Sequence, residues 1–447
     1  MDRERIEIEN EILEKLKGKI YLTQPYDKRK EIIFEAFLEV YNSERCKRFI
    51  SRVGGLELET FFKEFLSYGM IEEFLQDPEV EDIMINSLSP IYIHKTFQGL
   101  VKTDKRFESR DELELFIKKL VIFSGRDNVR KINNIELSEI KGRVNIIYSP
   151  FGPQITITRA KEKPLSIIHL IENRTLNAQI AGQLWLYVEG LGIRPANILI
   201  SGGPGSGKTT LLNALFSFIP ESERLVVIED TLELNTDYEG NCSRLESDEE
   251  LTLADLVKNS LRMRPDRIII GEVRGKEAQD MMTAMNIGKY CMGTLHASTA
   301  RETIMRLENE PMNVPEVLLN LIDVIIIMKR YNIKGEVFRA LGEIVETAGM
   351  ERKMVLLSQL WSYDPIKREF RETMVSSVYR DKLAQMSGRT SKEIINEINL
   401  RAKLLNILLE RNIKDIAEVS KFCRSFNKDP RGTVKQLGLD YEKLLEG

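Results

Sequence analysis

Gly202-Gly203-Pro204-Gly205-Ser206-Gly207-Lys208-Thr209 fits the spacing G-x-x-x-x-G-K-[ST] without a gap. Its glycines let successive backbone N–H groups curl inward, so the segment can hold phosphate oxygens. Lys208 is placed to reach the β- and γ-phosphates of a nucleotide, and the Thr209 hydroxyl to ligate Mg²⁺. Thr210 continues into an apolar run, Leu211-Leu212-Asn213-Ala214-Leu215-Phe216, that reads as a helix. Before the loop, Asn197-Ile198-Leu199-Ile200-Ser201 reads as a buried strand. Strand, loop and helix in that order are the setting a phosphate-binding loop requires. The helix N-terminus adds free donors and positive dipole. A glycine-rich turn with no ligand would not call for Lys-Thr at this offset.

Three further clusters follow in order. Val226-Val227-Ile228-Glu229-Asp230-Thr231-Leu232-Glu233-Leu234 delivers carboxylates at the end of an apolar run, where α/β sheets bind ligands. An isolated Glu-Asp would read as a solvated acidic turn. Beside a phosphate loop, Glu229 is the candidate for polarising the attacking water, with Glu233 second. Arg267-Ile268-Ile269-Ile270-Gly271-Glu272-Val273-Arg274 has the logic of a Walker B strand. Its usual aspartate position is Gly271, which leaves Glu272 alone to organise the metal and its waters. Arg274 can hold a carboxylate or a phosphate, or form a plain surface ion pair. Met292-Gly293-Thr294-Leu295-His296-Ala297 ends a strand with an imidazole that can face the γ-phosphate. His94 and His169 read as packed core histidines.

These residues need a scaffold, and the pattern of apolar residues supplies one. Residues 1–76 place apolar residues at helical spacing among charges, as in Ile32-Ile33-Phe34 followed by Phe37-Leu38. Residues 77–160 change to short β-type runs around one helical stretch, Asp111 to Ser124, with Gly99 and Asn133-Asn134 marking turns. That segment reads as a small α+β domain. Lys161-Glu162-Lys163-Pro164-Leu165 is charged and broken by proline, so residues 161–172 read as a hinge linker. Over residues 173–360, β-type runs alternate with helical ones, the signature of a mostly parallel sheet covered on both faces. From Trp361 onward the chain reads as helical, with Ser391 capping a helix that carries Ile394, Ile398, Leu404, Leu405 and Leu408.

Composition sets the outer bounds. A chain of 447 residues is too long for one ordinary core, and 30% charged with 42% hydrophobic residues is globular composition. A net charge of −4 weighs against general nucleic-acid binding. The longest apolar run, Val317 to Met328, is 12 residues with Asn320 and Asp323 inside it, too short to span a bilayer. The expectation is a soluble chain whose membrane association is peripheral. Four cysteines lie far apart without a C-x-x-C pair, which leaves neither a zinc ribbon nor a disulfide framework.

In order and spacing, the phosphate loop, the acidic box Glu229 to Leu234, Gly271-Glu272 and Thr294-x-His296 resemble the type II/type IV secretion ATPase superfamily. The resemblance runs from residue 77 to 365. It takes in Asp77 to Asn86 as the opening of the small domain, and Gly142-Arg143-Val144-Asn145 and Thr156-Ile157-Thr158-Arg159 as its arginine-bearing strands. It implies a RecA-like P-loop α/β motor domain, a smaller α+β N-terminal domain, and helical N- and C-terminal extensions. It also implies ATP and Mg²⁺ as ligands, a hexameric ring, and a polytopic membrane platform of a pilus or secretion system as partner. Arg143 and Arg159 are then the cations that close on the phosphates, and the location is cytoplasmic, against the inner face of the membrane. Two departures stand out. Ile287-Gly288-Lys289 replaces the family's Thr-Gly-His, so only His296 carries over, and the four-cysteine zinc module of bacterial general-secretion members is missing. The helical N-terminal region and Trp361-x-Tyr363-Asp364-Pro365 are more similar to archaeal pilus and archaellum motors. Two rivals remain open at this stage: a nucleic-acid-translocating ATPase of the same fold, and a nucleotide-gated scaffold that does not hydrolyse.

Overall fold

A computed structural model describes residues 2–446 except 22–23, 56, 96–97, 138–141, 160–163, 237–239, 249, 334, 353 and 374. It divides into two compact units, Met1–Glu162 and Lys163–Gly447.

In the first unit the helices Arg3–Leu16, Tyr26–Tyr41, Glu44–Arg52 and Leu58–Leu66 form where the apolar spacing is helical. Asp2 and Ser43 cap two of them by accepting from Glu4 N and Cys46 N. An antiparallel sheet follows: β1 (Val80–Asn86), β2 (Tyr92–Lys95), β3 (Gly99–Lys102), β4 (Ile132–Leu137), β5 (Gly142–Ser149) and β6 (Gly152–Arg159), in the order β3-β2-β1-β6-β5-β4. Along β5, Val144 and Ile146 point inward while Arg143 and Asn145 face solvent. Asn133-Asn134 is not a turn but part of β4: Asn145 Nδ2 donates across the ladder to Asn134 Oδ1 at 2.7 Å, and Asn133 closes on the backbone of Arg130. The helices and the sheet share one continuous apolar core, from Ile8, Phe37 and Phe61 through Leu120 to Ile155 and Ile157. Residues 1–76 therefore pack into one unit with this sheet. Their apolar stripes cover the face the sheet would otherwise expose.

The second unit is built on β7 (Ile198–Gly202), β8 (Leu225–Glu229), β9 (Cys242–Glu246), β10 (Arg267–Val273), β11 (Tyr290–Leu295), β12 (Val324–Ile333), β13 (Glu336–Glu351), β14 (Met354–Asp364) and β15 (Glu369–Glu372). Their order is β15-β14-β13-β12-β7-β11-β10-β8-β9, parallel from β12 to β9 and antiparallel from β12 to β15. Parallel strands buried on both sides read as continuous apolar runs. Accordingly, Ile198 and Ile200 join one core while Leu199, between them, joins the other. This is the RecA-like α/β arrangement, with the phosphate loop leaving a central strand.

Three expectations need correction here. Trp361 lies in β14 rather than at the start of a helical region, and helix resumes only at Val378. Aromatic alternation in Tyr331, Phe338, Tyr363 and Phe370 serves a sheet face, not a helix. The helix Ser391–Glu410 is capped by Thr390, one residue earlier than expected, in a capping box with Glu393. It packs on the helix Ala178–Glu189, where buried Arg401 bridges Glu189 and Glu397. Of the linker at 161–172, residues 161–163 lie outside the described residues, and Ile167–Glu172 is a helix with its apolar side buried.

Candidate functional site

β7 ends at Gly202 and the helix Lys208–Leu215 begins six residues later. Gly205 and Gly207 hold φ of +65° and +94°, the left-handed region in which a side chain is strained. Lys208 is buried, and its Nζ donates to the Gly203 carbonyl at 3.2 Å. Burial lowers its pKa, with Glu272 and Glu233 opposing. The buried Ser206 Oγ has no hydrogen-bond partner. Among the described residues the Thr209 hydroxyl makes no hydrogen bond either. A loop with an orphaned hydroxyl, a folded-in ammonium and an open threonine fits a Mg²⁺-bound nucleotide. Thr210 completes the first helical turn.

Glu229, last residue of β8, is 2% exposed. Its Oε1 accepts from Glu233 N at 2.9 Å and Leu234 N at 3.0 Å, which folds the acidic box back over the strand. Its Oε2 makes no hydrogen bond and lies 3.6 Å from Arg244 Nη2. Burial pushes this carboxyl up to about 7, outweighing the two N–H donors and Arg244. The Gly271 that replaces the usual aspartate now has a reason. A Cβ there would sit 2.9 Å from Glu229 Cγ, so the buried glutamate occupies the space a side chain would need. Thr294 on β11 fixes the same peptide by donating to the Gly271 carbonyl at 2.6 Å.

His296 joins the loop to β10. Its Nδ1 lies 3.4 Å from Lys208 Nζ, and its Nε2 lies 3.5 Å from Glu272 Oε1. An ammonium only donates, so in the tautomer that pairs with Lys208 the Nδ1 accepts and the ring proton lies on Nε2, toward Glu272. Burial and Lys208 lower the imidazole's pKa, which keeps it neutral at neutral pH. Lys208, His296 and Glu272 thus form one line from the phosphate loop to the Walker B acid. Among the described residues no group of three or more His, Cys, Asp or Glu can hold a metal alone. An ion held by Thr209 and Glu272 would therefore need water and substrate oxygens to complete its shell.

Arg143 and Arg159 belong to the first unit. Arg143 stands on the solvent face of β5, opposite Glu136 and Thr158. Arg159 Nη1 donates to the carbonyls of Phe74, Asp77 and Val80, so it pins the approach to β1. Arg274 pairs with Asp230 at 2.7 Å, joining the two acidic clusters. Neither remaining histidine is a core residue: His94 is half-buried beside Glu81, and His169 completes a capping box with Ser166. Sequence reasoning missed Arg244 on β9, and Arg330 and Arg339 on the β12–β13 hairpin. Their signal is strand pairing, which no local motif carries.

The family model for type II/IV secretion system protein matches residues 127–333. An uncharacterized protein of Methanocaldococcus jannaschii, MJ0900, is 32% identical over 402 residues, covering 86% of this chain and 69% of that one. The conjugal transfer protein TrbB of Rhizobium radiobacter is 30% identical over 286 residues, covering 62% and 86%. Among solved structures, the ATPase DotB of Yersinia pseudotuberculosis gives a TM-score of 0.48 at 18% identity, over 83% of this chain and 94% of that one. A matched span that contains the loop, the acidic box, Glu272 and His296, together with relatives aligned over most of their length, places this chain in the type II/IV secretion system protein family.

Proposed function

We propose that this chain is a Mg²⁺-dependent ATPase that works as a hexameric ring and drives subunit translocation or filament assembly through a polytopic membrane platform. The supporting observation is the line Lys208–His296–Glu272. A passive nucleotide-gated scaffold needs only the loop, whereas this line ties the phosphate-binding cation to the acid that organises hydrolysis. Mg²⁺ held by Thr209, and through water by Glu272, would neutralise charge on the β- and γ-phosphate oxygens. Lys208 leaves the Gly203 carbonyl for the phosphates, which frees His296 Nδ1 and lets the ring report occupancy to Glu272. Glu229 accepts the proton of the attacking water at Oε2, the oxygen without a hydrogen bond, from a carboxyl whose pKa lies near neutrality. In the assembled ring Arg143, on an exposed strand face, supplies positive charge to the transition state. Arg159 serves first to hold its own unit together.

Within the described residues no helix is long and apolar enough to cross a membrane. We place the chain at the cytoplasmic face as a peripheral motor, on the archaeal pilus and archaellum branch. The test is ATPase activity against protein concentration, with ultracentrifugation in a non-hydrolysable ATP analogue. Specific activity that falls on dilution as a ring dissociates supports the proposal. A fully active monomer eliminates the ring. Nucleotide binding without turnover favours the scaffold, and DNA-stimulated hydrolysis with a steep salt dependence favours the nucleic-acid motor.

A further inference from the structure

Two arginines on the β12–β13 hairpin occupy an arrangement that the fold alone does not explain. Arg330 stands directly opposite Arg339 in the antiparallel ladder. Like charges in facing positions destabilise a sheet. Neither has a carboxylate partner among the described residues. On the opposite face of the same hairpin the situation is ordinary: Arg368 lies over the Phe338 ring at 4.6 Å and pairs with Glu336 at 2.5 Å. The unpaired arginines share the face that looks onto the phosphate loop. Arg339 Nε donates to the Gly205 carbonyl at 2.8 Å. A Cβ built on Gly205 would lie 3.8 Å from Arg330 Nη1, and one built on Gly207 would lie 3.7 Å from Arg339 Cδ. The neighbouring pair, Tyr331 and Phe338, stacks at 5.3 Å with the rings turned to the other face. Two guanidinium groups therefore converge on the tip of the loop, and among the described residues their Nη atoms have no partner.

We propose that Arg330 and Arg339 form a guanidinium clamp that grips phosphate oxygens of the bound nucleotide, alongside Lys208. This rests on reading the loop as a nucleotide site. Guanidinium forks suit phosphate oxygens, and a bound polyphosphate supplies the counter-charge that the facing arginines lack. Arg339 has a second task, because its bond to the Gly205 carbonyl also positions the loop. Among the described residues Arg330 makes no hydrogen bond or ion pair, and both arginines are exposed, so Arg330→Ala is the clean variant.

The experiment titrates the full chain with a fluorescent N-methylanthraniloyl ADP in Mg²⁺ buffer, then displaces it with inorganic tripolyphosphate. Arg330→Ala should weaken binding of both probes about tenfold, the worth of one charge-assisted hydrogen bond. Arg330→Lys should recover part of that loss, and Arg339→Ala should lose at least as much as Arg330→Ala. Wild-type affinities in Arg330→Ala and Arg339→Ala, with Lys208→Ala impaired, would overturn the clamp and leave the nucleotide site standing. Loss of ADP affinity without loss of tripolyphosphate affinity would also overturn it, by moving the contact to the sugar or base. A wild-type chain that binds neither probe would overturn the nucleotide reading and the clamp with it.

Discussion

Replacing Gly271 with alanine adds one methyl group, and the structure says where it goes. The new Cβ would lie 2.9 Å from Glu229 Cγ and 3.4 Å from Glu229 Oε1. Neither side gives way easily. The Gly271 peptide is held by Thr294 Oγ1, and the Glu229 carboxylate by the N–H groups of Glu233 and Leu234. Overpacking a filled site costs about 1–3 kcal/mol. Swinging the glutamate aside instead would sacrifice two hydrogen bonds to a charged group, each worth about 1.5–3 kcal/mol. An unstrained glycine-to-alanine change stabilises by about 0.4–1 kcal/mol through the unfolded chain, so the net expectation is a loss of about 1–2 kcal/mol. Urea unfolding measures it. The same substitution made on a Glu229→Ala background has no Cγ to strike and should become neutral or slightly stabilising, a change of sign between backgrounds. An equal loss in both backgrounds would refute the steric account of why glycine replaces aspartate here. Gly271→Asp should likewise destabilise rather than restore a better Walker B site.

The high pKa of Glu229 makes stability depend on pH in a defined direction. Its folded pKa of about 7 exceeds the ordinary 4.5, so the folded chain binds this proton more tightly, and stability rises as pH falls from above 7 toward 4.5. Its contribution approaches about 1.4 kcal/mol per pH unit within that window, and the difference between wild type and Glu229→Gln in urea titrations should isolate it. Turnover should run the other way, failing below neutrality as the base is protonated. His296→Ala should leave ATP affinity nearly unchanged while lowering kcat about tenfold or more, read by equilibrium binding beside steady-state kinetics. Arg401→Met leaves Glu189 buried without its cation and Glu397 with Arg389 alone, so unfolding should show a loss of about 3–5 kcal/mol, largest at high pH.

The residues that line the candidate site were legible in the sequence because each motif is local. A phosphate loop, a strand ending in Glu229, Gly271-Glu272 and the box ending in His296 are each a few consecutive residues, set one per strand. The parallel sheet was equally legible, since buried strands such as Val226 to Ile228 are continuous apolar runs. What escaped depends on pairing across the chain. Asn133-Asn134 has turn composition, yet the partner amide of Asn145 makes it a strand. The β13–β15 meander mixes exposed and buried residues and looks like neither a buried strand nor a helix. The shared core of residues 1–76 with the small sheet also has no local signature, because each helix is amphipathic whatever it covers. Arg339 illustrates the limit best: it lies 134 residues beyond Gly205, the residue whose carbonyl it bonds.

The central claim is that one site both binds the nucleotide and turns it over, with the two tasks assigned to different residues. Nucleotide affinity and Mg²⁺-dependent phosphate release should be measured together for wild type, Lys208→Ala and Glu272→Gln. The account predicts that Lys208→Ala loses turnover and most of its affinity. Glu272→Gln should keep near-wild-type affinity and lose turnover by about a hundredfold or more. Wild-type phosphate release in either variant, or equal loss of affinity in both, would contradict it.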